Sequence, residues 1–132
     1  MRPVTLRDVP ATIVDVIGLK TGAPFPGESL ASLWNPLKSA DRPSQALLSE
    51  VSRASGQPPW FPASKGDLKA VFYRGFHYIR NSDGSEELYE VEGDPGERNN
   101  LSALPDHRDI LIASRAALRE FDGGRSRFWT VP

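Results

Sequence analysis

The sequence predicts an α+β fold, an antiparallel β-meander of about four strands with an N-terminal helix and a C-terminal helix packed on it. Apolar residues recur at helical spacing near both ends of the chain. Between them, from Ala70 to Val91, short β-rich segments alternate with pairs of turn residues. At 132 residues the chain has the size of one domain.

The first helix is predicted from Leu6 to Ile17. Thr5 and Asp8 have the spacing of a capping box, and Gly18 is suited to end the helix. One side of this helix carries an apolar stripe that requires a covering surface. Its members are Val9, Ile13, Val16 and Ile17. We expect the stripe to pack against another element or another polypeptide.

The region after this helix is predicted to be mostly irregular. Residues 18 to 44 read as a connection with a turn at Pro24 to Gly27 and one short helical turn around Ser29 to Leu33. The apolar run from Ala46 to Val51 predicts the first strand.

A proline-rich loop is predicted from Ala54 to Asp67. Its Pro59-Trp60-Phe61-Pro62 run fits the spacing of a polyproline ligand, and Trp60 could also form the wall of a substrate cleft. We favour a third interpretation, in which the aromatic residues of the loop pack onto their own domain.

Three further strands complete the predicted meander. They run from Ala70 to Tyr73, from Phe76 to Arg80 and from Glu87 to Val91, with hairpin turns at Arg74-Gly75 and Asp83-Gly84. Alternation along the middle strand places Phe76, Tyr78 and Arg80 on one face of the sheet and His77 and Ile79 on the other. The sheet should therefore have a buried side and a wetter side.

The last helix is predicted to begin at Pro105 and to stop at Gly123-Gly124. Its inner stripe is formed by Ile110, Leu111, Ser114, Ala117, Leu118 and Phe121.

Composition excludes several kinds of function. Sixteen basic and seventeen acidic residues give a net charge of −1, so no surplus of positive charge is available for nucleic acid. The sequence has no cysteine, which excludes disulfides, thiolate metal sites and a cysteine nucleophile. No apolar run approaches a membrane span, and Met1-Arg2-Pro3 does not lead into a signal-peptide core. We therefore expect a soluble chain without a membrane partner, and its compartment stays open.

The spacing of the polar residues does not identify an active site. His77 and His107 are interpreted as strand or surface histidines. The carboxylate pairs, Glu86 with Glu87 and Asp8 with Asp15, are interpreted as solvated charge. The residues alone therefore predict neither a catalytic residue nor a metal ligand.

The stretch from Glu87 to Leu101, ELYEVEGDPGERNNL, resembles the C-terminal signature of the sulfatase family, the arylsulfatase-type members of the alkaline phosphatase superfamily. Asp8 to Gly18 and Pro26 to Leu30 resemble the helix and loop that precede the small C-terminal domain of this family. Order and spacing agree, and the resemblance extends from about residue 4 to residue 122. His77 stands where a lysine is often found.

The resemblance implies hydrolysis of a sulfate ester in the complete enzyme. The family uses formylglycine, made from Cys or Ser in a C/S-x-P-x-R motif, beside a calcium ion. This sequence contains no such motif, so we expect no cofactor, metal ligand or catalytic residue in this chain. We expect the proline-rich loop around Trp60 and Lys65 to lie near the substrate cleft of a complete enzyme.

The resemblance also implies a division of the chain. Residues 1–44 resemble the end of a sulfatase N-terminal domain, residues 45–122 form the C-terminal subdomain, and residues 123–132 form a tail. The expected partner is a separate N-terminal sulfatase domain, or a second copy bound through the stripe of Val9, Ile13, Val16 and Ile17.

Two functions remain open at this point. The favoured one is the C-terminal segment of a sulfatase-like hydrolase that is inactive alone, so whether the chain is itself an enzyme is uncertain. The alternative is a non-catalytic protein-interaction module derived from that subdomain. A relative acting on phosphate or phosphonate esters is a third possibility.

Overall fold

The computed structural model describes residues 4–19, 25, 27–34, 46–64 and 66–124. The chain divides into two compact units, Met1–Pro43 and Ser44–Pro132. Of the residues discussed above, Met1 to Pro3, most of the connection from 18 to 44 with Pro24 and Pro26 of its predicted turn, Lys65 and the tail beyond Gly124 lie outside the described ranges. None of the described helices has the length and apolarity of a membrane span.

The N-terminal unit contains helix α1, Asp8–Val16, and a 3-10 turn, Leu30–Leu33. The helix begins at Asp8 rather than at Leu6, because the amide of Asp8 donates to the carbonyl of Thr5 at 3.0 Å in a preceding turn. Ser29 caps the 3-10 turn by accepting a hydrogen bond from the amide of Ala31. Both predicted helical elements of this unit are therefore present.

Asp8 anchors the N-terminal unit, so interpreting it as solvated charge was wrong. It is only 5% exposed, and its carboxylate accepts the amides of Thr5 at 3.0 Å and Glu28 at 2.9 Å. The Thr12 hydroxyl accepts the amide of Leu30 at 2.8 Å. These side chains hold the segment at Glu28 to Leu30 against the first turns of α1.

The C-terminal unit contains a four-stranded sheet with strands in chain order. The strands are β1 Leu47–Val51, β2 Leu68–Tyr73, β3 Phe76–Asn81 and β4 Glu86–Glu90. All three neighbouring pairs are antiparallel, which confirms the predicted meander. The chain turns between β2 and β3 at Arg74 and Gly75, which have φ of 51° and 84°, as a tight hairpin turn requires.

Helix α2, Arg108–Gly124, follows a 3-10 turn at Pro105–His107 and packs on β2 and β3. The core between helix and sheet consists of Val71, Tyr78, Leu88, Leu111, Ala117 and Leu118. Leu118 and Ser114 are completely buried, as the predicted inner stripe requires. The register pairs Val71 with Tyr78 and Tyr78 with Leu88, so one residue from each of three strands meets the helix.

Candidate functional site

A cluster of polar side chains joins α2 to the helix-covered face of the sheet. The Tyr78 hydroxyl donates to Glu86 Oε1 at 2.5 Å, and Arg115 Nε donates to the same oxygen at 2.8 Å. Arg115 Nη2 donates to Glu86 Oε2, which makes the ion pair bidentate. We call Tyr78, Glu86 and Arg115 the Glu86 cluster.

A second group of charges meets near the end of α2. The Asp122 carboxylate accepts Lys69 Nζ and, at 2.9 Å, Arg80 Nη2. Glu50 Oε1 lies 3.7 Å from the same Lys69 nitrogen. Lys69 and Arg80 extend from β2 and β3, so this group ties the end of the helix to two strands.

Both clusters contain side chains whose pKa is shifted further from neutral pH. The hydrogen bond from Arg115 lowers the pKa of Glu86, and the bond from Lys69 lowers the pKa of Asp122. Burial, followed by the bond to Glu86, raises the pKa of Tyr78 to about 12. A general acid or base works best with a pKa near the operating pH. Glu86, Asp122 and Tyr78 are therefore suited to hold the helix on the sheet and unsuited to transfer protons at neutral pH.

In the segment from Glu87 to Leu101, whose sequence resembles sulfatases, polar side chains accept hydrogen bonds from nearby backbone amides. The Asp94 carboxylate accepts the amides of Arg98 at 2.9 Å and Asn99 at 2.8 Å, and these bonds lower the pKa of Asp94. Asn100 Oδ1 accepts the amides of Leu88 at 3.1 Å and Ser102 at 2.9 Å. Asp94 and Asn100 therefore satisfy backbone groups of this segment, which is a structural role.

Glu87 lies on the opposite face of the sheet from Glu86. Its carboxylate accepts the Tyr89 hydroxyl at 2.7 Å and Asn81 Nδ2 at 3.0 Å. Burial, followed by the bond to Glu87, raises the pKa of Tyr89 to about 12. Interpreting Glu86 and Glu87 as a solvated pair was therefore wrong. Their carboxylates lie on opposite faces of the sheet, and each accepts a hydrogen bond from a tyrosine hydroxyl.

The two histidines have separate surroundings. His77 Nδ1 lies 2.6 Å from Glu97 Oε1, and the His107 ring packs edge-on against Phe76 with centroids 6.1 Å apart. Among the described residues, no group of three or more His, Asp or Glu could hold a metal ion. His77 lies in β3, as predicted, whereas His107 lies half-buried in the 3-10 turn before α2 with its Nδ1 atom buried, so it is neither a strand nor a surface histidine.

The proline-rich loop presents Trp60 to solvent. The indole is 80% exposed, so the favoured expectation that it packs onto its own domain was wrong. Phe61 is half-buried and meets Trp60 edge to face, with centroids 6.4 Å apart and ring planes at 73°. Trp60 is the sequence-predicted site residue whose position is described, and its side chain is exposed to solvent.

The fold and part of the sequence recur in known sulfatases. The chain is 28% identical over 114 residues to a Delta 4,5-hexuronate-2-O-sulfatase of Bacteroides thetaiotaomicron, covering 86% of this chain and 22% of the relative. A putative sulfatase of the same organism superposes with a TM-score of 0.71 at 26% identity, over 86% of this chain and 23% of that one. A 2-O GAG sulfatase superposes with a TM-score of 0.74 at 24% identity, over 91% of this chain and 25% of that one.

The match covers only a small part of each relative. The chain spans about a quarter or less of the length of the sulfatases it matches. No protein-family model matches the chain. Sequence and fold together show that the chain is sulfatase-like and corresponds to a C-terminal portion of these hydrolases.

Proposed function

We propose that this chain is the C-terminal part of a sulfate ester hydrolase and has no sulfatase activity by itself. The observation that carries the proposal is the match to sulfatases over 86% of this chain but only 22% of the relative. The residues argue in the same direction, because the polar clusters on both faces of the sheet are engaged in hydrogen bonds within the fold.

Formylglycine and calcium would supply the sulfatase chemistry in a complete family member. The residues of this chain do not fit either group. The sequence has no C/S-x-P-x-R motif, and the described residues lack a set of three or more His, Asp or Glu placed to bind a cation. We therefore assign no catalytic residue and no metal ligand to this chain.

The proposed substrate class is a sulfated sugar, by similarity to the hexuronate sulfatase. We propose that the loop from Ala54 to Asp67 faces the substrate and that Trp60 and Lys65 contact it. The exposure of Trp60 supports this proposal. Lys65, five positions further along the sequence, adds a positive charge that suits a sulfate group.

The proposed partner is a polypeptide with an N-terminal sulfatase domain, which would cover the apolar stripe of α1. The stripe is exposed in the structure, with Val9 at 47%, Ile13 at 55%, Val16 at 62% and Ile17 at 63%. We propose residues 1–44 as the segment that belongs to that domain, residues 45–122 as the C-terminal subdomain and residues 123–132 as a tail.

Assays of the purified chain test the proposal. We expect no turnover of an aryl sulfate or of a 2-O-sulfated uronic acid disaccharide, and robust turnover of either would refute an inactive segment. A pull-down from the source organism should recover a protein that contains a C/S-x-P-x-R segment. Recovery of an unrelated protein in its place would favour the alternative, a non-catalytic interaction module.

A further inference from the structure

We propose that Trp60 is a stacking platform for the pyranose ring of a saccharide, and that the isolated chain binds sugar through it. This inference rests on the sulfated-sugar substrate class proposed above. It adds the mode of contact, and it predicts binding in the absence of any catalytic domain.

The backbone around Trp60 is fixed by the sequence of the loop. The amide of Phe61 donates to the carbonyl of Pro58 at 2.9 Å, which closes a turn with Pro59 and Trp60 at its centre. Proline at the second position of such a turn presets the backbone. The amide of Ser64 donates to Phe61 at 2.9 Å, and its hydroxyl donates to Pro59 at 3.3 Å.

The base of the loop is closed as well. The amide of Ala54 donates to the carbonyl of Ala63 at 3.0 Å, and Ala63 is 1% exposed. The amide of Arg53 donates to Asp67 Oδ1 at 2.7 Å. A ring held on an ordered loop loses little conformational entropy when a ligand stacks on it.

A single exposed ring on this loop favours a small ligand over a protein surface. Within residues 52–64, Trp60 is the one large apolar side chain that is exposed. A stable protein interface buries about 1,200 to 2,000 Å², far more than one indole offers. The C–H groups on one face of a pyranose ring are apolar and slightly positive, and the face of an indole ring is electron-rich. One indole and one sugar ring therefore match in size and in charge distribution.

Nuclear magnetic resonance of the full chain tests the inference. The probe is a 2-O-sulfated uronic acid disaccharide, titrated while the indole N–H signals of the tryptophans are followed. We expect a saturable shift of the Trp60 signal, with a dissociation constant on the order of 1 mM. In the variants that lack this indole, the backbone amide signals of residues 54–64 report binding; Trp60→Ala should weaken it roughly tenfold, and Trp60→Tyr should retain part of it. Trp34→Phe, which removes another exposed tryptophan, should leave the affinity unchanged.

Three results would overturn the inference. One is the absence of a shift at Trp60, another is an equal shift with inorganic sulfate at the same ionic strength, and the third is an equal shift at Trp34. The outcome is separable from that of the proposed function. Turnover by the chain alone would refute the inactive segment whether or not Trp60 binds sugar, and an inactive chain with an unperturbed Trp60 would refute only the stacking platform.

Discussion

Glu86 illustrates how a carboxylate is accommodated on the helix-covered face of the sheet. Strand alternation places it on the same face as Leu88, one step from the core. An inward carboxylate requires a cation and hydrogen bonds, which Arg115 and Tyr78 supply. The alternation was readable from the sequence, but the partner was not, because Arg115 lies 29 positions away along the chain. Asp8 was misread for the same reason, since its partner Glu28 comes 20 positions later.

Acid should weaken the fold through the lowered carboxyl pKa values. The folded-state pKa of Glu86 lies below 4.5 and that of Asp122 below 3.8, so each stabilises the fold above those values and loses this effect as the pH falls through its folded pKa. The free energy of unfolding, measured with urea, should fall between pH 7 and pH 3 by about 1 kcal/mol less for Glu86→Gln than for the parent. Glu92→Gln, at an exposed position, is the matched control. An equal decrease in the free energy of unfolding for Glu86→Gln and Glu92→Gln would contradict a stabilising role of the Glu86 carboxylate.

Alkali should weaken the fold through Tyr78. Its pKa is raised from 10.0 to about 12, so its contribution is complete below pH 10 and is lost as the pH rises through 12. Tyr78→Phe lacks the ionisable group, and its unfolding free energy should fall less between pH 9 and pH 12 than that of the parent. Following denaturation by far-ultraviolet circular dichroism measures this difference. Tyr73→Phe, on the same strand pair, provides the comparison.

At the scale of elements, local patterns predicted the helices and strands well. Alternating residues and turn pairs located β2, β3 and β4 to within two residues at each end. Helix α1 begins at Asp8 rather than at the predicted Leu6, because a turn that starts at Thr5 replaces the first turn of the helix. The exposure of Trp60 was missed because composition favours burial of an aromatic side chain, whereas a hydrogen-bonded turn places Trp60 at an exposed position of the loop.

The buried side chains of the inner stripe should account for most of the contribution of α2 to the free energy of unfolding. Leu118 is completely buried against the sheet, so Leu118→Ala should lower the free energy of unfolding by about 2 to 5 kcal/mol. Ile112, on the same helix, is 48% exposed, and Ile112→Ala should cost much less. Urea denaturation of both variants measures the difference. Similar losses would show that the helix does not pack through this stripe.

Close backbone packing in the N-terminal unit should make Gly27 intolerant of a side chain. A Cβ atom at this position would overlap the carbonyl of Arg7 and the amide of Asp8. Gly27→Ala should therefore displace the segment that donates to Asp8, and hydrogen exchange at the amides of Glu28 and Leu30 should accelerate. At Gly96 a Cβ atom would meet only the movable side chain of Arg98, so Gly96→Ala is the control. Unchanged exchange in Gly27→Ala would contradict this packing.

At the scale of the whole molecule, the apolar stripe of α1 determines the expected association behaviour. Its four side chains are about half exposed, so covering them contributes on the order of 1 kcal/mol each. Together, the four contributions are a sizeable part of the free energy of unfolding of a typical domain. The family resemblance was readable from the sequence, whereas the surface that covers the stripe was not, because a sequence pattern records the need for burial and not the partner.

We expect the purified chain to self-associate through this stripe when no partner is present. Ile13→Glu should reduce the associated fraction, since it places a charge within the stripe. Ile112→Glu, an exposed position on α2, is the matched control and should leave association unchanged. Light scattering coupled to size-exclusion chromatography measures both. A stable monomer of the parent chain would contradict the expectation.

The chain order of the sheet has a consequence for how the C-terminal unit folds. Each strand pairs with the strand that precedes it, so β2, β3 and β4 meet across short hairpins, while β1 joins across the loop from residue 52 to residue 67. Contacts between residues close in sequence have a low entropic cost of closure and favour rapid folding. The two hairpins can thus form early as one nucleus, with β1 and α2 added from either side.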